Sequence, residues 1–335
     1  MISRLFAEFK AAVRLQEVRV KRPTQIFLCG GDILTSDVLA SPKSARHAFC
    51  NYLRKTTAPL LADIVLAEVI VEDREQDEHG FKDLLELERL VAEIVGVVLL
   101  FVESPGSYAE LGAFTENPTI LRRLVVVIDN SFRENTRSFI YRGPLKRLIN
   151  QYEQSLRYET WLSDEGDPPV IDEQLAETMA AGLAQSLPAY QKRNGDTALL
   201  SAARGDPEPN EGEMMCLITG LLDVFLTLGL AEIEEILLLF ATPSSGQKIS
   251  RYLYVLRRLK LVDRVLYSNK WWYFSSRSLV EWSFLEGSPQ KTTLDWRRHI
   301  RDEYTRAKTS EPGTAKRLGA LTLIFQQGTG VQDHE

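Results

Sequence analysis

Apolar positions along the chain fall into two patterns. Ile26-Phe27-Leu28-Cys29, Ile64 to Val71, Val95 to Val102 and Leu124 to Ile128 are apolar at every or nearly every position, as strands buried on both faces require. Between them, Ser44 to Lys55, Phe81 to Ile94 and Tyr108 to Phe114 can carry helices. Arg157 to Leu162 is a fifth strand candidate, followed by a helix from Asp172 to Gln191. Strands alternating with helices predict an α/β fold with a doubly wound parallel sheet.

The flanks differ. Residues 1–24 read as a basic amphipathic leader helix, with Ile2, Leu5, Phe6, Phe9 and Val13 at helical spacing and Arg4, Lys10, Arg14, Arg19, Lys21 and Arg22 among and after them. A helix docked on the body is favoured over one that touches a membrane or acidic partner. Residues 25–200 form the α/β domain, and 201–212 the linker, because Arg204 to Gly212 holds two prolines and no apolar residue. Beyond it, Glu213 to Leu228, Ala231 to Phe240 and Gln247 to Lys260 read as helices, and Arg264 to Tyr267 with Trp271 to Phe274 as a hairpin. Three helices and a hairpin over 213–285 predict a C-terminal winged helix-turn-helix domain, and 286–335 reads as a basic C-terminal tail.

Composition narrows the class without naming a chemistry. The 335 residues carry 40 Lys and Arg against 46 Asp and Glu, a net charge of −6, in ordinary globular proportions. Cys29, Cys50 and Cys216 show no metal spacing, so neither a disulfide framework nor a metal site is expected, and a reducing cytoplasm fits. The longest apolar runs fall far below the ~20 residues of a membrane span, so no membrane partner is expected.

Chemistry concentrates in Phe101 to Gly112, where a buried-type strand turns into a helix rich in small residues. Ligands of open parallel sheets bind at the carboxyl ends of strands, and free N–H groups at a helix start favour anions. Neither a dinucleotide glycine fingerprint nor a P-loop is present. Glu110 is the candidate catalytic carboxylate, able to attack a sugar carbon or support an oxocarbenium-like transition state. The competing reading makes Ser107-x-x-Glu110 a capping box. Around it, Cys29, Gly30, Gly31, Asp32, Ser104, Gly106, Ser107 and Tyr108 are the substrate-binding candidates, with Glu103 at the strand terminus. Asp37 and Asp83 are weaker, since turns and caps use the same residues. His47 and Cys29 read as buried structural groups.

These features resemble the nucleoside 2-deoxyribosyltransferase family, which includes deoxynucleoside monophosphate N-glycosidases. The resemblance covers roughly residues 25 to 130 and rests on Cys29-Gly30, the acidic helix Asp83 to Leu90 and Tyr108-Ala109-Glu110-Leu111-Gly112. It departs where Ala109 separates Tyr from Glu, where Glu86 replaces an aspartate, and where Phe27 stands for a tyrosine. It implies that Glu110 is the glycosyl nucleophile and that Glu86, 24 residues earlier, helps place it or the sugar.

A second constellation is basic. From Gly246 to Arg277 eight bases meet one acid, Asp263. On the helix, Ile249, Leu253 and Leu256 share a face, with Lys248, Arg251 and Arg258 roughly 130° away. Lys248, Arg251, Arg258, Lys270 and Trp271 are the nucleic-acid-binding candidates, with Trp272 as a further stacking surface. The alternative is a protein-interaction module with the tryptophans as core.

Together, the two domains resemble effector proteins of bacterial retrons. That resemblance implies an anti-phage toxin controlled by a reverse transcriptase and a multicopy single-stranded DNA/RNA hybrid, cleaving a nucleotide N-glycosidic bond. No cofactor is expected. NAD is the favoured substrate, because nicotinamide leaves as a neutral base without a general acid, whereas purine nucleotides usually need leaving-group protonation. A homo-oligomer is expected. Two alternatives stand beside it: a nucleotide-pool deoxyribosyltransferase or deoxynucleotide N-glycosidase, and a non-enzymatic DNA-binding regulator.

Overall fold

The computed structural model describes residues 1–33, 41–71, 80–163, 170–195, 197–200, 210–240, 244–307 and 311–326. Asp37, most of the expected linker and Thr242-Pro243 lie outside them. The chain opens with α1 (Ile2–Ala12), β1 (Arg19–Val20), β2 (Ile26–Cys29), α2 (Ala45–Lys55), β3 (Ile64–Leu66) and α3 (Ala67–Val71). Then follow α4 (Leu84–Ile94), β4 (Val97–Val102), α5 (Pro105–Glu116), α6 (Pro118–Leu121), β5 (Leu124–Asp129), a π-turn (Tyr141–Leu145), α7 (Lys146–Tyr152), β6 (Leu156–Glu159) and α8 (Glu173–Asn194). The remainder comprises β7 (Ala198–Leu199), α9 (Glu211–Phe225), α10 (Leu230–Leu239), α11 (Gly246–Arg258), β8 (Val262–Tyr267), β9 (Lys270–Ser275), β10 (Val280–Glu281), α12 (Thr293–Arg306) and α13 (Pro312–Gln326).

Two compact units divide the chain. The α/β unit holds Pro23–Glu72 and Leu84–Asp196. Its five strands are parallel in the order β3-β2-β4-β5-β6, an arrangement consistent with a doubly wound fold. Ile26, Leu28, Val97, Leu99, Phe101, Val125 and Val127 pack on one face against Phe49 and Leu53 of α2 and Met179, Leu183 and Leu187 of α8. Phe27, Cys29, Val98, Leu100 and Val126, pointing the other way, are also fully buried. Burial on both faces is why these runs lack period-2 alternation.

One expected strand is cut short. Only Ile64–Leu66 pair with β2, and Ala67–Val71 turn helical despite two valines and an isoleucine. That turn delivers Glu68 to Arg46, and the tertiary contact outweighs the residues' strand preference.

The second unit holds Met1–Arg22, Asp73–Asp83 and Thr197–Glu335. In α1, Leu5, Phe6 and Phe9 are fully buried, and the Phe9 ring lies 4.9 Å from Trp282, 5.2 Å from Trp296 and 5.4 Å from Phe225. The leader is thus an aromatic keystone of this unit. Helices α9, α10 and α11 precede the antiparallel β8–β9 hairpin, whose turn residues Ser268 and Asn269 both take positive φ, as tight hairpin turns require. Glu211 and Gly212, expected in the linker, already belong to α9. Residues 286–335, expected as a tail, contain α12 and α13, because Trp296, Ile300, Tyr304, Leu321 and Ile324 provide apolar faces that are buried. Among the described residues no helix is long and apolar enough to cross a membrane.

Candidate active site

The site begins with a helix start that differs from the expected one. Helix α5 starts at Pro105, and Ser104 is its N-cap, accepting from the Ser107 backbone N–H at 3.3 Å. Ser107 returns the favour, its Oγ accepting from the Glu103 and Ser104 N–H groups at 3.0 and 2.9 Å. The capping box therefore lies one turn before the expected Ser107/Glu110 pair, with both serine hydroxyls committed to it. Proline at the first helical position explains the shift, since its missing N–H costs nothing there. Glu110 is released from capping, and its Oε2 is buried without a hydrogen-bond partner.

The ends of β2 and β4 are locked by a second carboxylate and a guanidinium. Gly30 has φ +135°, and a Cβ there would lie 2.7 Å from the Phe101 carbonyl, so only glycine makes this turn. Glu103 accepts from the N–H groups of Gly31, Ala45 and Arg46 at 3.3, 2.7 and 3.1 Å, joining the strand end to the start of α2. Arg46 is fully buried and pairs bidentately with Glu68, both contacts at 2.6 Å. It also donates to the carbonyls of Leu28 at 2.7 Å and Gly31 at 3.1 Å. His47, also buried, accepts at Nδ1 from the Lys43 N–H at 3.3 Å, and burial lowers its pKa.

Charge around Glu110 is uncompensated. Burial pushes the Glu110 carboxyl up to about 7; the Arg46 charge draws it down and that of Glu68 raises it. Burial and the Glu110 charge push Glu88 up to about 7 as well. The Cys29 thiol is raised by burial first and then by Glu110 and Glu88, which places it in the same cluster as an inert thiol rather than a nucleophile. Two coupled carboxyls with one shared proton can act as an ionised group beside a proton-holding one.

The cluster contains residues that sequence reasoning overlooked. Successive residues turn by ~100° on a helix, so Glu86 and Glu88 point ~200° apart, and it is Glu88 that is coupled to Glu110. Two adjacent glutamates of equal chemistry cannot be ranked by sequence without knowing which helix face is buried. Gly106, one turn before Glu110, is exposed and open, a Cβ there finding only Ser104 Oγ at 3.9 Å. Tyr108 lies ~200° from Glu110 on α5; its ring sits 6.1 Å from that of Phe132, and burial, then the Asp129 charge, raises its pKa. Asp32 is exposed, and its carbonyl accepts from Ser44 Oγ at 3.0 Å. Among the described residues no group of three or more His, Cys, Asp or Glu could hold a metal ion.

The basic candidates are engaged inside their own unit. Lys248 lies 3.4 Å from Glu211, and Lys270 3.5 Å from Glu232 and 4.2 Å above the Trp272 ring. Arg251 donates to the Gly80 carbonyl, with its guanidinium 5.9 Å from the Phe81 ring. Arg258 is half-buried. Trp272, expected as a stacking surface, is instead core, also covered by Arg317 at 5.0 Å. Trp271 remains exposed, with Arg264 4.0 Å above its ring.

Residues 42–264, 223 of the 335, match the family described as STM3845 retron effector protein. The chain belongs to this retron effector family. Over 125 residues it is 41% identical to the Escherichia coli "Retron Ec86 putative ribosyltransferase/DNA-binding protein", covering 37% of this chain and 36% of the relative. Over 168 residues it is 27% identical to the Escherichia coli "Retron Ec73 putative ribosyltransferase/DNA-binding protein", covering 49% and 51%. The chain thus spans about a third to a half of the curated relatives it matches.

Proposed function

We propose that this retron effector is an N-glycosidase whose chemistry is carried by Glu110, with NAD the favoured substrate. The observation that carries the reading is a half-buried Glu110 whose Oε2 is buried without a hydrogen-bond partner, coupled to Glu88 and Arg46 at the carboxyl ends of β2 and β4. The ribosyltransferase names of the relatives support glycosyl transfer at this site.

In the proposed reaction, ionised Glu110 attacks C1′ or supports the developing positive charge there as the C1′–N bond breaks. The bonding pair leaves with the base, and a pyridinium departs as neutral nicotinamide. Water then adds at C1′, breaking the Glu110–C1′ bond where one had formed, its proton passes to the Glu110 carboxylate and on to solvent, and ADP-ribose is released. Arg46 keeps enough positive charge nearby for one carboxyl of the pair to ionise. Once Arg46 is spent on Glu68, Glu88 and Glu110 leave the cluster acidic, which favours a cationic base over a neutral purine. The role that sequence assigned to Glu86 passes in this reading to Glu88. Gly30, Gly31, Gly106 and the α5 N-terminus flank the phosphates.

Family membership and the DNA-binding names support control by the retron's reverse transcriptase and multicopy single-stranded DNA/RNA hybrid. The α9–α11 helices with their hairpin, read as a winged helix, would receive that partner through Trp271 and Arg264. A homo-oligomer remains part of the proposal.

The test is to incubate the full chain with NAD and with deoxynucleotides, alone and with a second base, following products by mass spectrometry. Nicotinamide and ADP-ribose from NAD are expected. Product only when a second base is present means a deoxyribosyltransferase, and ligand binding without any product means a sensor; either overturns the reading.

A further inference from the structure

We propose that a groove on the far side of α5 from Glu110 binds a strand of single-stranded nucleic acid, separately from the glycosidase site. Counting ~100° per residue, Gly112, Thr115 and Glu116 lie ~140° to ~240° around α5 from Glu110, so they face away from the acid cluster. They form one wall of a groove of about 600 Å³ whose other wall is Phe139, the π-turn and α7. Pro144 sits in that turn, where its missing N–H cannot close an ordinary helical bond, and the backbone widens locally.

Three features of the groove point to a strand. The first is charge. Among the residues lining the groove, Arg142, Lys146 and Arg147 meet a single acid, Glu116. Arg147 is used for bracing, bonded to Glu116 at 2.7 Å and the Thr115 carbonyl at 3.2 Å. Arg142 gives only its Nε–H, to the Thr136 carbonyl at 3.3 Å. Among the described residues, the groove's Arg142 and Lys146 have no carboxylate partner, unlike Lys248 and Lys270 in the other unit.

The second feature is Phe139, which is 82% exposed. A ring so open adds little to folding, yet beside free cations it offers a stacking platform that accepts any base. The third is Gly112, in the interior of α5. A helical glycine costs ~1 kcal/mol relative to alanine, and nothing lies within 4 Å of where its Cβ would be, so no packing demands it. Its bare backbone keeps the groove floor open.

The geometry distinguishes the occupant. A duplex hides its base faces and cannot stack on Phe139. A free nucleotide is usually enclosed, whereas Phe139 can cover only one face of a base. A strand needs neither enclosure nor pairing: phosphates meet Arg142 and Lys146, a base stacks on Phe139, and the Asn150 and Gln151 amides lie along the groove for its edges.

The experiment is fluorescence anisotropy of the full chain with a labelled short oligodeoxythymidylate across a salt series. Phe139→Ala is expected to weaken binding about tenfold or more, the scale of one stacked base. Arg142→Gln with Lys146→Gln should reduce the log–log salt slope by about 1.4, for two lost phosphate contacts on a single strand. Gly112→Leu should weaken binding while leaving Tm equal or higher, separating groove filling from misfolding. Base release by each variant should match the parent. The proposal is overturned if the parent does not bind the strand, if the three variants bind like the parent, if a duplex of equal length binds as tightly, or if thymidine monophosphate displaces the strand at equal site occupancy.

Discussion

Glu88 and Glu110 crowd round a guanidinium already bonded to Glu68, whereas Lys248 on the basic helix lies beside Glu211 and Lys270 on the hairpin beside Glu232, a carboxylate that Arg317 also holds. The first region is largely buried and short of positive charge; in the second, two half-exposed lysines each have a carboxylate within reach. Exposed pairs contribute ~0–1 kcal/mol each, while a buried carboxyl without enough partners shifts its protonation and becomes reactive. The contrast teaches that charge marks function where it is left uncompensated, and compensation is a property of the fold. A count of bases along residues 246–277 cannot see Glu211 or Glu232.

The largest stability effect should come from removing the buried Arg46. Arg46→Met leaves Glu68 without its partner and frees the Leu28 and Gly31 carbonyls, at a cost of ~3–5 kcal/mol in urea unfolding. A loss under ~1 kcal/mol would place Arg46 with the surface pairs and dissolve the contrast.

A smaller effect should appear as pH dependence. Both carboxyls stand above the ordinary value of 4.5, so the folded protein holds protons that the unfolded chain has released. Their contribution to stability is complete below about pH 4.5 and is lost as pH rises through about 7. Glu88→Gln should flatten this decline and raise the urea midpoint at pH 8 relative to the parent. An unchanged pH profile would mean that Glu88 is not coupled to Glu110.

The smallest effect is expected from Lys248→Gln or Lys270→Gln, each changing stability by less than ~1 kcal/mol. For strand affinity, neutralising these paired lysines should lower the salt slope less than neutralising Arg142 and Lys146, whose charges are free. Equal slopes would show that pairing with Glu211 and Glu232 does not withdraw a lysine from phosphate.

Much of this arrangement was legible in the sequence. The doubly apolar runs located the central strands, because burial on both faces leaves a local signature, and the small-residue turn after Val102 marked the segment where Glu110 lies. The shift of the capping box was also legible in principle, since Pro105 favours the first helical position. Glu88 was not: ranking it over Glu86 requires the buried face of α4. Nothing in the sequence singles out Arg46, because its partner Glu68 lies in a segment whose Val-Ile-Val run suggests a strand. The expected tail hid Arg317 in the same way; it bonds the Thr227 carbonyl and Glu232, both at 2.6 Å, and is 3% exposed. For Arg46 and Arg317 the partner lies far away in sequence, and neither member of the pair signals the other locally.

The most direct measurement of the central claim is the rate of free-base release by Glu110→Gln, with unfolding monitored alongside. Glutamine keeps the shape and removes the charge, so the account predicts a fall of at least about 10³-fold, as expected for loss of a nucleophile or its electrostatic equivalent, with the unfolding transition retained. Release at the parent's rate from a folded variant would contradict it.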